Sequence, residues 1–94
     1  MSVRALHPQE AQHVESGAIL GSAGRDAMTF EIAGLVMTIP VDRGDHRMRF
    51  TLPAIPRWDN GDPISADLAE RLQPIISEIA RFWDQEPEFR VLLR

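Results

Sequence analysis

The feature that most constrains the fold is a stripe of apolar residues between Ile64 and Trp83. Its members step by three or four positions, which places them on one face of an α-helix: Ile64, Leu68, Leu72, Ile75, Ile76, Ile79, Phe82 and Trp83. Ser65 is predicted to cap the amino end, and Asp67 lies in the first turn, where the helix dipole favours an anion. Pro74 removes one backbone hydrogen bond, so we expect one bent helix instead of two separate helices. A helix with a single apolar face buries that face against another element, and we expect this helix to cover a sheet.

The region before this helix alternates apolar and polar side chains, which is the pattern of strands with one buried face. It predicts strands over residues 28–32, 35–41 and 47–52. We expect the three strands to be antiparallel, with one face against the helix and the other against solvent. After the helix, Pro87 blocks further helix, and residues 89–93 are predicted as a last strand at either edge of the sheet.

Two segments carry weaker signals. Near the amino terminus, Pro8 fits the first position of a short helix that ends before Gly17, but residues 13–20 fit equally well a strand interrupted at that glycine. Both interpretations stay open. Between the third strand and the helix, prolines before, within and after residues 54–62 end strand pairing and predict an extended path.

These elements make up one domain that spans residues 1–94. The predicted fold class is α+β, with an antiparallel sheet of three to five strands and one long carboxy-terminal amphipathic helix packed on it. The chain has 94 residues, of which 44% are hydrophobic. A domain this small buries only about 60–65% of the surface of its unfolded chain. A deep active site would compete with the core for apolar residues, so the size favours binding at a surface.

The residue types exclude several kinds of site. The chain has no cysteine, which excludes disulfides, thiolate nucleophiles, iron–sulfur clusters and cysteine-ligated zinc. His7, His13 and His46 do not share a helical face, so no metal site is predicted, and no cofactor is expected. His13 and Glu15 form the H-x-E pattern of zinc deaminases, but the paired cysteines of those enzymes are missing. No serine stands in a nucleophile motif, so no catalytic residue is predicted.

The charge balance bears on the kind of partner. Fourteen acidic residues stand against ten basic residues, all of them arginine, for a net charge of −4. Such a surface repels nucleic-acid phosphates, so we expect no nucleic-acid partner and favour a basic or neutral one. The sequence has neither an export signal nor an apolar stretch of membrane-spanning length. We therefore expect no membrane association and a cytoplasmic location.

Arg47 and Arg49 share the outward face of the third predicted strand. Two guanidinium groups at this spacing fit a phosphate or a carboxylate, and with a loop carboxylate they would make a small enzyme site. The same residues also fit a solvated face that pairs with Glu31 on a neighbouring strand, and we expect this pairing. A small-molecule substrate is therefore not expected.

Trp58 lies between the third strand and the helix, beside Asp59 and Asp62. Tryptophan is a frequent anchor of protein interfaces. A tryptophan bracketed by prolines also fits packing under its own loop. The sequence favours packing and leaves the interface role open.

The segment from Phe50 to Leu93 combines a strand, the motif Ile55-x-x-Trp58-Asp59, an acidic turn that ends in Asp62-Pro63-Ile64, a long amphipathic helix and a short final strand. This combination resembles a family of small bacterial immunity proteins, which neutralise polymorphic toxins or toxins of contact-dependent growth inhibition. The resemblance implies a protein without catalysis of its own. Such a protein binds a cognate toxin domain and blocks the toxin's active site or its partner contacts.

The predicted partner-binding residues are loop acids and the tryptophan among them: Asp42, Asp45, Trp58, Asp59 and Asp62. They are chosen by loop position and charge and are not carried over from the family. Many toxin domains are basic nucleases, so an acidic surface would gain association rate through electrostatic steering. The alternative function is a non-catalytic structural or adaptor subunit that forms homo-oligomers through an exposed strand edge.

Overall fold

Seven strands and one helix make up the described part of the chain. The computed structural model describes residues 2–92, and its elements follow in this order: β1 Val3–His7, β2 Glu10–His13, β3 Ile19–Ser22, β4 Ala27–Ile32, β5 Leu35–Gly44, β6 Arg47–Pro53, α1 Ala66–Phe82 and β7 Glu86–Leu92. The strands form one sheet in the order of the chain. Neighbours from β1 to β6 are antiparallel, whereas β6 and β7 are parallel.

The predicted fold class, an antiparallel sheet of three to five strands with one long helix, is wrong. The sheet is mixed and has seven strands, and 49% of the described residues are strand against 19% helix. Two features cause the difference. The first quarter of the chain forms strands of its own, and α1 carries the chain back so that β7 starts at the same end of the sheet as β6.

Neither interpretation of the first quarter is right. Residues 8–9 form the turn between β1 and β2, where the sequence suggests the start of a helix. Gly17 has a φ of +80°, and its N–H donates to the carbonyl of His13 at 2.8 Å. The chain therefore reverses inside the predicted strand 13–20, which is divided between the end of β2 and the start of β3.

The three strands predicted before the helix are confirmed as β4, β5 and β6. Their alternate side chains, among them Phe30, Ile39 and Phe50, are buried in the core. β5 runs beyond its predicted end to Gly44 and includes Asp42, which the sequence places in a loop. The strand continues because the hairpin turn is tight, with only residues 45–46 at its tip.

β5 pairs with different strands along its length. Its first half, up to Pro40, pairs with β4, and its second half, from Val41, pairs with β6. The connection between β6 and α1 occupies the other edge of the first half, because the N–H of Asp59 donates to the carbonyl of Val36 at 2.8 Å. This connection is therefore hydrogen-bonded to the edge of β5 that β6 leaves free.

The α1 helix begins as predicted. The side chain of Ser65 accepts from the N–H of Leu68 at 3.2 Å, which confirms the cap, and Pro74 lies within one continuous helix. The helix buries the middle of its apolar stripe: Leu72, Ile75, Ile76, Ile79 and Ala80. Phe82, predicted as part of the stripe, is 47% exposed. It lies roughly 90° around the helix from the centre of the stripe.

The helix contacts both ends of the sheet, with β1 and β2 on one side and β7 on the other. A sheet whose two ends contact the same helix must curl around it. One hydrophobic core fills the space between them, and Trp83 packs against that core. The last predicted strand, 89–93, is part of β7 beside β6; Leu93 lies outside the described residues. No helix in residues 2–92 has the length and apolar character needed to cross a membrane.

Candidate functional site

Residues 54–63, which connect β6 to α1, form a loop held against the sheet, and we call them the braced loop. At its centre is Trp58, whose side chain is 6% exposed and whose ring stacks on Phe30 with centroids 6.4 Å apart. Of the two roles that the sequence leaves open for Trp58, the structure gives it packing contacts. The tryptophan fixes the loop to the core, and burial leaves little of its ring for a partner.

The path of the braced loop is folded back, so the prediction of an extended path for residues 54–62 is wrong. An isolated β-bridge joins Arg57 to Pro63. Between them the chain makes a tight turn, in which the N–H of Gly61 donates to the carbonyl of Trp58 at 2.9 Å. Gly61 has a φ of +97°, a conformation that glycine adopts without the strain a side chain would cause.

Asp59 is fixed by two hydrogen bonds from one residue of β5. The backbone N–H of Thr38 donates to Oδ1 of Asp59 at 2.9 Å, and the Thr38 hydroxyl donates to Oδ2 at 2.6 Å. These two bonds, the hydroxyl bond first, lower the pKa of Asp59 because they stabilise the charged carboxylate, while slight desolvation opposes them. Asp59 is therefore an anion at neutral pH, and the sheet sets its position.

Asp62 is fixed within the loop, mainly by Asn60. The N–H of Asp62 donates to Oδ1 of Asn60 at 2.9 Å, and Nδ2 of Asn60 donates to Oδ2 of Asp62 at 3.3 Å. The guanidinium of Arg57 donates to the carbonyl of Gly61 at 3.1 Å. Local bonds of this kind between side chain and backbone stabilise turns, so both carboxylates of the loop have defined positions.

The braced loop also exposes an apolar side chain. Ile55 is 73% exposed, more than any other large hydrophobic residue that the structure describes. Asp59 and Asp62 in the same loop are exposed as well. A surface with an exposed apolar side chain and two hydrogen-bonded carboxylates suits a protein partner that has Arg or Lys beside an apolar depression.

Asp42 and Asp45, the other two predicted binding acids, lie on the β5–β6 hairpin. Asp42 is exposed on β5 opposite Arg49 of β6, and Asp45 is at the tip of the turn. Asp42 is four residues along β5 from Thr38, the partner of Asp59, which is a separation of at most about 13 Å. The five predicted residues therefore fall into two groups, three in the braced loop and two on the hairpin.

Arg47 and Arg49 pair with Glu88 of β7. Their guanidinium nitrogens lie 3.5 and 3.4 Å from the Glu88 carboxylate oxygens. The expected pairing with Glu31 is wrong, because β5 lies between β6 and β4, the strand that carries Glu31. Glu88 neutralises one of the two positive charges on this face, which weakens its attraction for a phosphate or carboxylate ligand.

One polar cluster between β2 and α1 escapes prediction from the sequence. His13 is 5% exposed; its Nδ1 lies 2.8 Å from Oγ of Ser16, and its Nε2 lies 3.1 Å from Oε1 of Glu78. Oε1 of Glu15 is 3.8 Å from the same Nε2. The pKa of Glu15 is lowered to about 2, because its own backbone N–H and that of Ser2 donate to its carboxylate. The H-x-E pattern is the only sign of this cluster in the sequence, since Glu78 comes 65 residues after His13.

Comparison with models of protein families, with curated proteins and with solved structures finds no match for this chain. Function is therefore inferred from the geometry of the braced loop and the hairpin.

Proposed function

We propose that this chain is an immunity protein that binds a cognate bacterial toxin domain and neutralises it. It acts in the cytoplasm and has no catalysis of its own. The observation that carries the proposal is the braced loop, which exposes Ile55, Asp59 and Asp62 while Trp58 and Thr38 hold it in place. A surface that is ordered before binding loses little conformational entropy when its partner docks, which favours tight binding.

The charge of the braced loop favours a basic partner. Two carboxylates, Asp59 and Asp62, stand against the single guanidinium of Arg57, and the whole chain has a net charge of −4. Opposite charge on the partner raises the association rate through long-range steering. A toxin domain that acts on nucleic acid carries basic side chains around its active site. Covering those side chains blocks access of the nucleic acid.

The hairpin contributes less to the proposed interface. Asp42 and Asp45 share it with Arg43, Arg47 and Arg49, so its local charge is mixed. We expect these two acids to lie at the rim of the interface. Exposed rim charges change the association rate and its salt dependence more than they change the affinity.

A growth assay tests the proposal. The carboxy-terminal fragment of the protein encoded immediately upstream is produced in bacterial cells with and without this chain. Killing that the chain prevents, together with a one-to-one complex on copurification, is the expected result. A fragment that is harmless, or that kills both cultures equally, contradicts the assignment of that fragment as the partner.

Two matched variants test the braced loop in the same assay. Ile55→Arg places a charge at the expected contact, and its side chain is too exposed for the change to disturb the core. Val14→Arg is the control, because Val14 is also an exposed aliphatic residue but lies in the turn after β2. We expect Ile55→Arg to lose protection and Val14→Arg to keep it. Equal protection by both variants would exclude the loop as the interface.

A second candidate function, a structural or adaptor subunit that forms homo-oligomers, is favoured by the sheet edges. Within residues 2–92, β1 pairs only with β2 and β7 only with β6. Val91 and Leu92 of β7 are exposed. However, the N–H of Glu86 donates to His46, which places Pro87, with no N–H to donate, on the free edge. Size exclusion with light scattering separates the two functions, because a tight homodimer that takes no toxin supports only the second.

A further inference from the structure

Independently of toxin binding, we infer that a cavity at one end of the curled sheet binds a small aromatic carboxylate. The cavity lies where the turn between β1 and β2, the end of β5 and the end of α1 meet, and we call it the mouth cavity. Its volume of about 290 Å³ is at the lower end of the range for small-molecule pockets, about 300–1,000 Å³. Its lining includes Ser22, Met28, Arg43, Met48, Trp83 and Gln85.

The inner wall of the mouth cavity is apolar. Met28 of β4 and Met48 of β6 are 2% and 5% exposed, and Trp83, which follows α1, packs against the same core. Thioether sulfurs attract aromatic rings, and a pair of aromatic rings gains further when the rings stack or meet edge to face. This wall therefore favours an aromatic ring in the ligand.

Two polar residues lie on the core-facing side of the sheet at this end. Arg43 is opposite Met48 in the pairing of β5 with β6, and Ser22 is opposite Met28 in the pairing of β3 with β4. Directly paired residues of antiparallel strands place their side chains on the same face, so Arg43 and Ser22 share the face of the two buried methionines. The same row of β5 holds the buried Val41 two residues earlier. A positive charge therefore stands where the alternation of β5 would continue with an apolar side chain.

The charge of Arg43 is available to a ligand. Arg47 and Arg49 alternate with the buried residues of β6, so they lie on the outer face, where both contact Glu88. Arg43 has no ion pair within residues 2–92, and it is exposed. A guanidinium group binds a carboxylate through two parallel N–H···O bonds. Arg43 is therefore the group that would recognise the carboxylate of the ligand.

The polar rim of the mouth cavity also holds acceptor oxygens. The hydroxyl of Ser22 donates to the carbonyl of Gly24 at 3.2 Å, and Nε2 of Gln85 donates to the carbonyl of Trp83 at 3.5 Å. Both side chains keep an oxygen that can accept a hydrogen bond. A ring N–H on the ligand would therefore find a partner at the rim, on a side of the cavity formed by other strands than Arg43.

A titration of the full chain followed by ¹H–¹⁵N NMR tests the site. The probe is indole-3-acetate, which combines an aromatic ring, a ring N–H and a carboxylate that is charged at neutral pH. The chain has two tryptophans, and each gives one indole N–H signal. We expect the signal of Trp83 to shift as the probe binds. The signal of Trp58, which is buried in the braced loop beside the first half of β5, should stay in place.

A second probe and two matched variants test the role of charge. Indole-3-acetamide keeps the ring and the shape but lacks the charge, so we expect it to bind about tenfold more weakly. Arg43→Gln should weaken binding of indole-3-acetate about tenfold and leave binding of the amide unchanged. Arg49→Gln is the control, because it makes the same change on the outer face of the same hairpin. It should bind both probes like the original chain, and circular dichroism checks that both variants are folded.

Four results would overturn the site. The first is no shift of the Trp83 signal in a titration that detects a dissociation constant of about 1 mM. The second is an equal shift of the Trp58 and Trp83 signals, which would mean non-specific binding. The other two are equal affinities for the carboxylate and the amide, and equal weakening in Arg43→Gln and Arg49→Gln.

Discussion

The braced loop and the β5–β6 hairpin each present two aspartates, but the fold supports them differently. In the loop, Thr38 fixes the carboxylate of Asp59, and the buried ring of Trp58 anchors the chain. On the hairpin, Asp42 lies opposite Arg49, and Asp45 is at the tip of a two-residue turn. The comparison shows that two pairs of aspartates of equal charge differ in how firmly the fold holds them. Acids that are held in place before a partner arrives lose less conformational entropy on binding, which is why we propose the loop and not the hairpin as the centre of the interface.

Among the substitutions in the braced loop and the hairpin, Trp58→Ala should lower the free energy of unfolding most. It removes a buried ring that stacks on Phe30 and leaves a cavity, so we expect the free energy of unfolding to fall by about 3–5 kcal/mol. Asp45→Ala, the hairpin control, should change it by less than about 0.5 kcal/mol. Urea denaturation measures both. A similar change in the two variants would mean that the tryptophan does not brace the loop.

Thr38→Val removes the hydroxyl that donates to Asp59 and keeps the shape of the side chain. We expect a loss of about 1 kcal/mol of unfolding free energy, the usual net value of a hydrogen bond. The pKa of Asp59 should rise toward its ordinary value, which a carboxyl NMR titration measures. Thr51→Val on β6 is the control for removing an outer-face hydroxyl. An unchanged pKa of Asp59 in Thr38→Val would contradict the assigned cause.

Acidification should weaken the bracing of Asp59. The folded-state pKa of Asp59 is lowered, so its carboxylate stabilises the fold above the ordinary pKa, and this contribution disappears as the pH falls through the folded-state value. Solvent screens this exposed group, so the effect should be smaller than the loss in Thr38→Val. Denaturation of the original chain and of Asp59→Asn over a range of pH tests it. If the difference in unfolding free energy between the original chain and Asp59→Asn does not shrink toward acid pH, the Asp59 carboxylate does not stabilise the fold as described.

The ion pair of Arg49 with Glu88 should contribute least. Both side chains are partly in solvent, and the closest nitrogen–oxygen distance is 3.4 Å. We expect a coupling free energy of about 0.5 kcal/mol or less in a double-mutant cycle, and it should fall as salt is added. A coupling above about 1 kcal/mol would show that this ion pair stabilises the hairpin, as Thr38 and Trp58 are expected to stabilise the braced loop.

The parts of the fold that the sequence predicts are those with a clear period. Ile75 and Ile79 repeat at helical spacing, and Met28 and Phe30 alternate with polar neighbours, so α1 and the strands before it are recognisable. β1 has no such signal, because four of its five residues are exposed. No local sequence pattern predicts that β7 pairs in parallel with β6, because this pairing depends on where α1 returns the chain.

The candidate site is only partly predictable for a related reason. Composition and turn residues identify the loop around Trp58 and its acids. The contact that fixes Asp59 comes from Thr38, 21 residues earlier, and the polar cluster joins His13 to Glu78 across 65 residues. Contacts of this kind arise when elements pack against each other, and no regular spacing of residues in the sequence marks them.

The claim that the braced loop binds the toxin, with the hairpin at the rim, is tested most directly by affinity. Calorimetry on the copurified toxin domain would compare Asp62→Lys in the loop with Asp45→Lys on the hairpin, two equal changes of charge. We predict that Asp62→Lys weakens binding by about tenfold or more, equivalent to about 1.4 kcal/mol, and that Asp45→Lys weakens it by about threefold or less. An equal loss in both variants, or a larger loss in Asp45→Lys, would contradict the claim.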